Sequence, residues 1–130
     1  MGRMSVGNAG AILLASTSGS LTTGPLMLEA ARYTKWEWYL AGTFTGFSVQ
    51  VEGTADKATA GFLGQMNSPT GANWFKIPAE AEQTGTGTVV NPLTAIGQSL
   101  SYDRPMLACR LVIVATASTG TVNVYGFATK

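Results

Sequence analysis

Apolar and polar residues alternate with a period of two along much of this chain, most regularly at its C-terminal end. Between Pro105 and Thr129, Leu107, Cys109, Leu111, Ile113 and Ala115 alternate with Ala108, Arg110, Val112, Val114 and Thr116. Ala117, Ser118, Thr119 and Gly120 interrupt the run, after which Val122 and Val124 alternate with Thr121, Asn123 and Tyr125. Two β-patterned runs around a Ser/Thr/Gly break predict a β-hairpin. Val112 and Val114 share a face with Arg110, so the first strand is expected to be central and covered on both sides. A hairpin cannot supply that cover alone.

A second hairpin is expected upstream. From Tyr33 to Ala41, Trp36, Trp38 and Leu40 lie on one face and Lys35, Glu37 and Tyr39 on the other; Gly42 to Gly46 reads as the turn, and Phe47, Val49 and Val51 then alternate with Ser48, Gln50 and Glu52 up to Gly53. The tryptophan face is expected to pack against Phe47, Val49 and Val51, each buried aromatic contributing about 2 to 3 kcal/mol. The competing reading is an exposed aromatic platform for a sugar or base.

The remaining segments are weaker. Residues 1 to 10 lack a periodic apolar pattern and read as an arm. Ala11 to Thr17 reads as a short strand or as an apolar segment laid against a neighbour. Gly24-Pro25 introduces Leu26, Met27 and Leu28, read as a strand with a bend. Thr54 to Gly71 is a long connection carrying Phe62, Leu63 and Met66, and long loops in compact domains are often functional. Asn73 to Pro78 reads as a short edge strand closed by the proline, residues 79 to 92 as a Thr/Gly-rich loop, and Leu93, Ala95 and Leu100 as strand-like again. Tyr102 to Pro105 reads as a turn. Six to eight short strands with Gly, Pro and Asn punctuation predict an all-β fold, an antiparallel β-sandwich (jelly-roll or Ig-like) with an extended N-terminal arm. Residues 1–28 form the arm and first strands, and 29–130 the sandwich domain.

Composition adds an interface argument. The chain has 130 residues, the size of one domain. Charged residues make up 12% of it, about half of the roughly 25% of ordinary soluble domains. Such a surface fits either a Thr/Ser-coated monomer or one covered by neighbouring subunits. Net charge is +1 and the basic residues are scattered, which disfavours nucleic acid. The apolar run Ala9 to Ala15 is too short for a membrane span and lacks the basic flank of a signal peptide. No membrane partner is expected, and the protein is expected to be made in a cytoplasm.

Catalytic chemistry finds little support. The chain has no histidine and a single cysteine, Cys109, on the apolar face of a strand, where packing rather than reactivity is expected. Ser-His-Asp and Cys-His nucleophilic systems are therefore ruled out, and so are the usual zinc and copper ligand sets. The carboxylates Glu52, Asp56, Glu80, Glu82 and Asp103 have no motif around them that would make a glycosidase pair or a calcium loop. Gly85-Thr86-Gly87 lacks the rest of a dinucleotide fingerprint. The chain is expected to be neither an enzyme nor a cofactor or metal binder.

The succession WEWYLAGTFTGFSVQVEGTAD, NWFKIP and RPMLACRLVIVATASTGTVNVYGFA resembles the small β-sandwich virion proteins of tailed bacteriophages, over roughly residues 33 to 130. The long Thr54 to Ala72 segment departs from the compact spacing of such sequences. The resemblance implies a capsid decoration (cement) protein without catalysis. Such a protein, made in the bacterial host cytoplasm and located on the capsid surface of the virion, binds the major capsid protein and itself, commonly as a homotrimer, and stabilises the shell. Apolar residues of the arm and loops are then the expected contacts: Ile12, Leu13, Leu14, Leu26, Met27, Phe62, Leu63, Met66, Trp74 and Phe75. A tail, neck or fibre component is the alternative within the same class, and a carbohydrate-binding module using Trp36, Trp38 or Trp74 is the alternative outside it.

Overall fold

Two very long strands carry the fold. In the computed structural model, which describes residues 11–26, 35–54, 74–77, 91–104 and 106–129, β3 (Lys35–Thr54) runs for 20 residues and β6 (Ala108–Thr129) for 22. They pair antiparallel along almost their whole length, from Lys35 opposite Thr129 to Thr54 opposite Ala108. Short strands flank this ribbon: β1 (Ile12–Thr17) and β2 (Leu21–Thr22) on β6, β4 (Phe75–Lys76) and β5 (Ser99–Tyr102) on β3. The result is one antiparallel sheet, all β among the described residues.

This arrangement corrects the expectation of two hairpins. Gly42 to Gly46 and Ala117 to Gly120 are not turns that reverse the chain. They lie opposite each other in the ribbon, Phe44 against Gly120 and Thr45 against Thr119, and together form an irregular stretch where the register shifts, here termed the corner. The next pair is Phe47 with Ala115, so β3 leaves Gly46 unpaired while β6 leaves 116, 117 and 118. An odd number of extra residues reverses the alternation of a strand relative to its sheet. Both strands reverse together. On β3 the alternating buried positions are 36, 38 and 40 before the corner and 47, 49 and 51 after it; on β6 they are 109, 111 and 113, then 122, 124 and 128, with Thr54 and Ala108 also buried where the ribbon ends. The same face of the ribbon therefore stays apolar on both sides of the corner.

The corner needs backbone conformations that favour glycine. Gly42 has φ 102° and Gly120 φ 78°. A Cβ on Gly42 would sit 2.6 Å from the Thr121 carbonyl oxygen, and one on Gly120 would overlap that of Thr43. A side chain at either position would force the strands apart. Ala117 is also in the left-handed region, with φ 47°. Hydroxyl contacts knit the rest of the corner: Thr45 Oγ1 and Thr119 Oγ1 are 2.6 Å apart, and Ser18 Oγ and Thr121 Oγ1 3.0 Å.

The two halves of the ribbon have different neighbours. On the half carrying the tryptophans, β5 pairs with β3 from Trp36–Tyr102 to Tyr39–Ser99, and β1 pairs with β6 from Ile12–Gly126 to Thr17–Val122. On the other half, β4 pairs with Glu52 and Gly53, Leu93 bridges Val49, and β2 lies on Val112 and Ile113. The buried side chains of both halves nevertheless form one cluster, including Trp36, Trp38 and Leu40 together with Val49, Val51, Leu111 and Ile113.

Several sequence expectations hold. Trp36 and Trp38 are core residues, 2% and 0% exposed and stacked with ring centroids 6.1 Å apart, which removes them as a sugar platform. Cys109 is buried, and burial pushes its thiol pKa up to about 12. The Trp38 side chain lies near that sulfur and partly offsets the shift, though its indole N–H makes no hydrogen bond among the described residues. Trp38 is on one half of the ribbon and Cys109 on the other. The expectation that both faces of the 107–116 run are covered does not hold, since Val114 on the outer face is 46% exposed. Of the expected N-terminal arm, residues 1–10 lie outside the described residues, and 11–26 are laid along β6 as β1, β2 and a bridge from Leu26 to Cys109.

Candidate functional site

The outer face of the ribbon carries two polar constellations, and the sheet rims carry the exposed apolar residues. Beyond the corner, Arg110, Glu52 and Lys76 are in register across β6, β3 and β4. Arg110 Nε donates to Glu52 Oε1 at 2.7 Å, Gln50 Nε2 donates to Glu52 Oε2 at 2.7 Å, and the Arg110 guanidinium lies over the Trp74 ring, 4.9 Å from its centroid. Both carboxylate oxygens of Glu52 are thus engaged, and its side chain is 13% exposed. A carboxylate held this way is a structural counter-ion to Arg110, poorly placed to exchange a proton with a substrate. Arg110 is the paired charge that its position on a mixed face implies. Its planar guanidinium both stacks and donates, which a lysine could not reproduce.

At the other end of the outer face, Glu37 lies between Ser101 and Phe127 in a shallow depression also lined by Lys35, Asp103 and Thr129. Its volume of about 130 Å³ is well below the roughly 300 to 1,000 Å³ of small-molecule sites. Beside it, Tyr39 and Tyr125 are cross-strand partners with stacked rings 5.5 Å apart. Among the described residues, no three His, Cys, Asp or Glu side chains gather as a metal site would require, and no helix is long and apolar enough to cross a membrane.

Of the expected contact residues, Ile12 and Leu14 are half-buried on β1 and pack against the core, whereas Leu13 between them is 53% exposed. Leu26 also packs on the core, held by its N–H to the Cys109 carbonyl at 2.7 Å and by the reciprocal bond at 3.0 Å. Trp74 is half-buried under Arg110. Phe75, 38% exposed, lies at the rim formed by β4, its ring 6.1 Å from that of Tyr102. Met27, Phe62, Leu63 and Met66 lie outside the described residues. Trp74 and Phe75 are therefore brought together at one rim and Ile12 to Leu14 at the other.

Sequence reasoning missed the exposed Leu21, Val114 and Ile96. Val114 carried a signal, since it shares a face with Arg110. It also missed Asn91, a buried polar residue inside a segment read as loop. Its Oδ1 accepts from the Val51 N–H at 3.1 Å, and its Nδ2 donates to the carbonyls of Val51 and Ile77 at 2.9 and 2.7 Å. This side chain ties the Phe75 rim to β3, as a piece of strand would.

Comparison of the chain with protein-family models, with curated proteins and with solved structures gives no match.

Proposed function

We propose that this protein is a non-catalytic structural component of a bacteriophage virion, a capsid decoration protein that self-associates and clamps major capsid proteins through its sheet rims. The observation that carries the reading is the pairing of a predominantly apolar core with large apolar side chains left exposed at opposite rims, Leu13 on β1 and Phe75 on β4, in a chain with few charges. Exposed apolar rims with sparse charge are what a protein needs when neighbours cover its surface. The resemblance of residues 33 to 130 to phage virion proteins supports the same reading.

The finer architecture belongs to this proposal. The ribbon folds at its corner so that its two halves face each other as the layers of a sandwich. Supporting this are the unbroken apolar face, the contact of Trp38 with Cys109, and the approach of Phe75 on one half to Tyr102 on the other. Packed layers lie about 10 Å apart, which side chains from both can fill. The rims and corner of such a body are left for partners.

Co-sedimentation with expanded capsids lacking this protein tests the function. Saturable binding, lost when Leu13 and Phe75 are both replaced by Asp, is expected; no binding of the folded protein contradicts the proposal. A carbohydrate-binding role is the second reading, favoured by Trp74 beside Arg110, Glu52 and Gln50. Quenching of tryptophan fluorescence by host surface polysaccharide, abolished in Trp74→Ala, would favour it over decoration.

A further inference from the structure

The charged residues of this chain leave four long gaps, 4–28, 38–51, 83–102 and 111–129, and the corner draws one segment from each. The ribbon supplies 42–46 and 116–120. On the β6 side, 18–20 crosses between the Thr17–Val122 and Leu21–Ile113 pairs, tied down by the Ser18–Thr121 contact and by Ser20 Oγ, which accepts the Ala115 N–H at 3.0 Å. On the β3 side, 94–98 crosses from the Val49–Leu93 bridge to the Tyr39–Ser99 pair. All four segments belong to the described residues, and together they carry no charge. The charges of the described residues lie towards the two ends of the ribbon, from Glu37 outward on one half and from Glu52 outward on the other.

Large apolar side chains stand out around the corner. Ile96 is 58% exposed, Val114 46% and Leu21 38%, on its β3 side, outer face and β6 side in turn. The turn carrying Ile96 is braced: Gln98 Oε1 accepts the Thr94 and Ala95 N–H groups at 2.7 and 3.2 Å. An anchor presented on a fixed backbone loses less entropy on docking. Water is also removed most cheaply where no charge has to be stripped, and the cores of interfaces are poor in charge. The same composition narrows the occupant. The four segments offer no cation to a phosphate or a lipid surface and no carboxylate to a metal. Their aromatic side chain, Phe44, is half-buried against Phe47, ring centroids 6.0 Å apart, and gives a sugar no platform. An uncharged patch of another protein fits.

We infer that the corner is the shell-facing surface of this molecule, docking with Ile96 as its anchor on an uncharged, apolar patch of the major capsid protein while the charged ribbon ends stay in water. The inference rests on the virion reading and adds an orientation to it.

Co-sedimentation with capsids lacking this protein provides the test, using the wild type, Ile96→Lys, Ile96→Glu and, at a charged ribbon end, Arg104→Glu. Ile96 and Arg104 are both exposed, so all three variants are expected to fold, which circular dichroism checks. Both Ile96 variants are expected to bind on the order of tenfold more weakly, about 1.4 kcal/mol, and Arg104→Glu as tightly as the wild type. Ile96 variants that bind as tightly as the wild type overturn the inference, and so does an Arg104→Glu loss of the same size. Weakening by one sign of charge with strengthening by the other marks a charged partner and overturns it as well. Self-association that is lost in the Ile96 variants, read by sedimentation equilibrium, makes the corner a contact between copies instead. If the wild type itself does not bind, the virion reading falls and the inference with it.

Discussion

Replacing Asn91 by Ala removes three hydrogen bonds at one stroke and isolates what they contribute. Val51 and Ile77 are both fully buried, at 0% exposure. Without the amide, the Val51 N–H loses the acceptor it has in Asn91 Oδ1, and the Ile77 carbonyl loses its Nδ2 donor, while the Val51 carbonyl keeps the Ile77 N–H at 3.0 Å. Among the described residues, one donor and one acceptor are then left buried and without a partner. At about 1 to 3 kcal/mol for each such group, the expected cost is roughly 2 to 6 kcal/mol. Urea unfolding followed by the emission of the buried tryptophans measures it, with a lower midpoint at unchanged slope. Asn91→Asp sharpens the test, since a carboxylate still accepts from Val51 but faces two carbonyl oxygens. Burial and those oxygens raise the folded pKa of the new carboxyl above its unfolded value. Its contribution is therefore retained at low pH, where a protonated Asp can donate, and is lost as pH rises through the raised pKa. An Asn91→Ala cost below about 0.5 kcal/mol, of the size seen at unremarkable surface sites, would refute the reasoning.

The corner glycines give a second test: Gly120→Ala should cost well over the roughly 1 kcal/mol of a left-handed alanine, because its Cβ overlaps the Thr43 carbonyl. Gly97→Ala, at φ 96° but with nothing within 4 Å, should cost only the backbone part, and thermal melts of the pair separate clash from conformation. In the core, Leu111→Ala or Ile113→Ala should each lose about 2 to 5 kcal/mol in the same urea assay. For Cys109, burial raises the folded thiol pKa from its ordinary value of 9.0 to about 12, so the stability tied to the neutral thiol is complete below pH 9 and declines as pH rises towards 12. The difference in urea midpoint between wild type and Cys109→Ala should shrink across that window. The native thiol should react with a disulfide reagent only as fast as the protein opens.

The alternation of Trp36, Trp38 and Leu40, of Phe47, Val49 and Val51, and of Cys109, Leu111 and Ile113 was legible as strand, and each of these residues is buried. What the pattern could not convey is which strand pairs with which. Gly42 to Gly46 and Ala117 to Gly120 carry turn chemistry, and locally nothing separates a reversal from a corner. The distinction rests on a contact 74 residues away in sequence, Thr45 with Thr119. A subtler signal was present, because the apolar residues change from even to odd positions across 42–46 and from odd to even across 117–120. Both readings accommodate that change. Asn91 was illegible for a similar reason, since a polar residue in a loop-like stretch reveals no buried acceptor until the fold brings Val51 beside it. Among the expected contacts, Ile12, Leu13 and Leu14 fall in a run read as a short strand or as an apolar segment laid against a neighbour, and only the pairing with β6 shows that Leu13 alone of the three is exposed.

The number of copies of this protein in a virion, counted by quantitative mass spectrometry against the major capsid protein, tests the decoration proposal most directly. The account expects on the order of hundreds of copies, in fixed ratio to the shell subunits. About three to twelve copies, the number a closed ring at the tail or neck would hold, or none at all in purified particles, would contradict it.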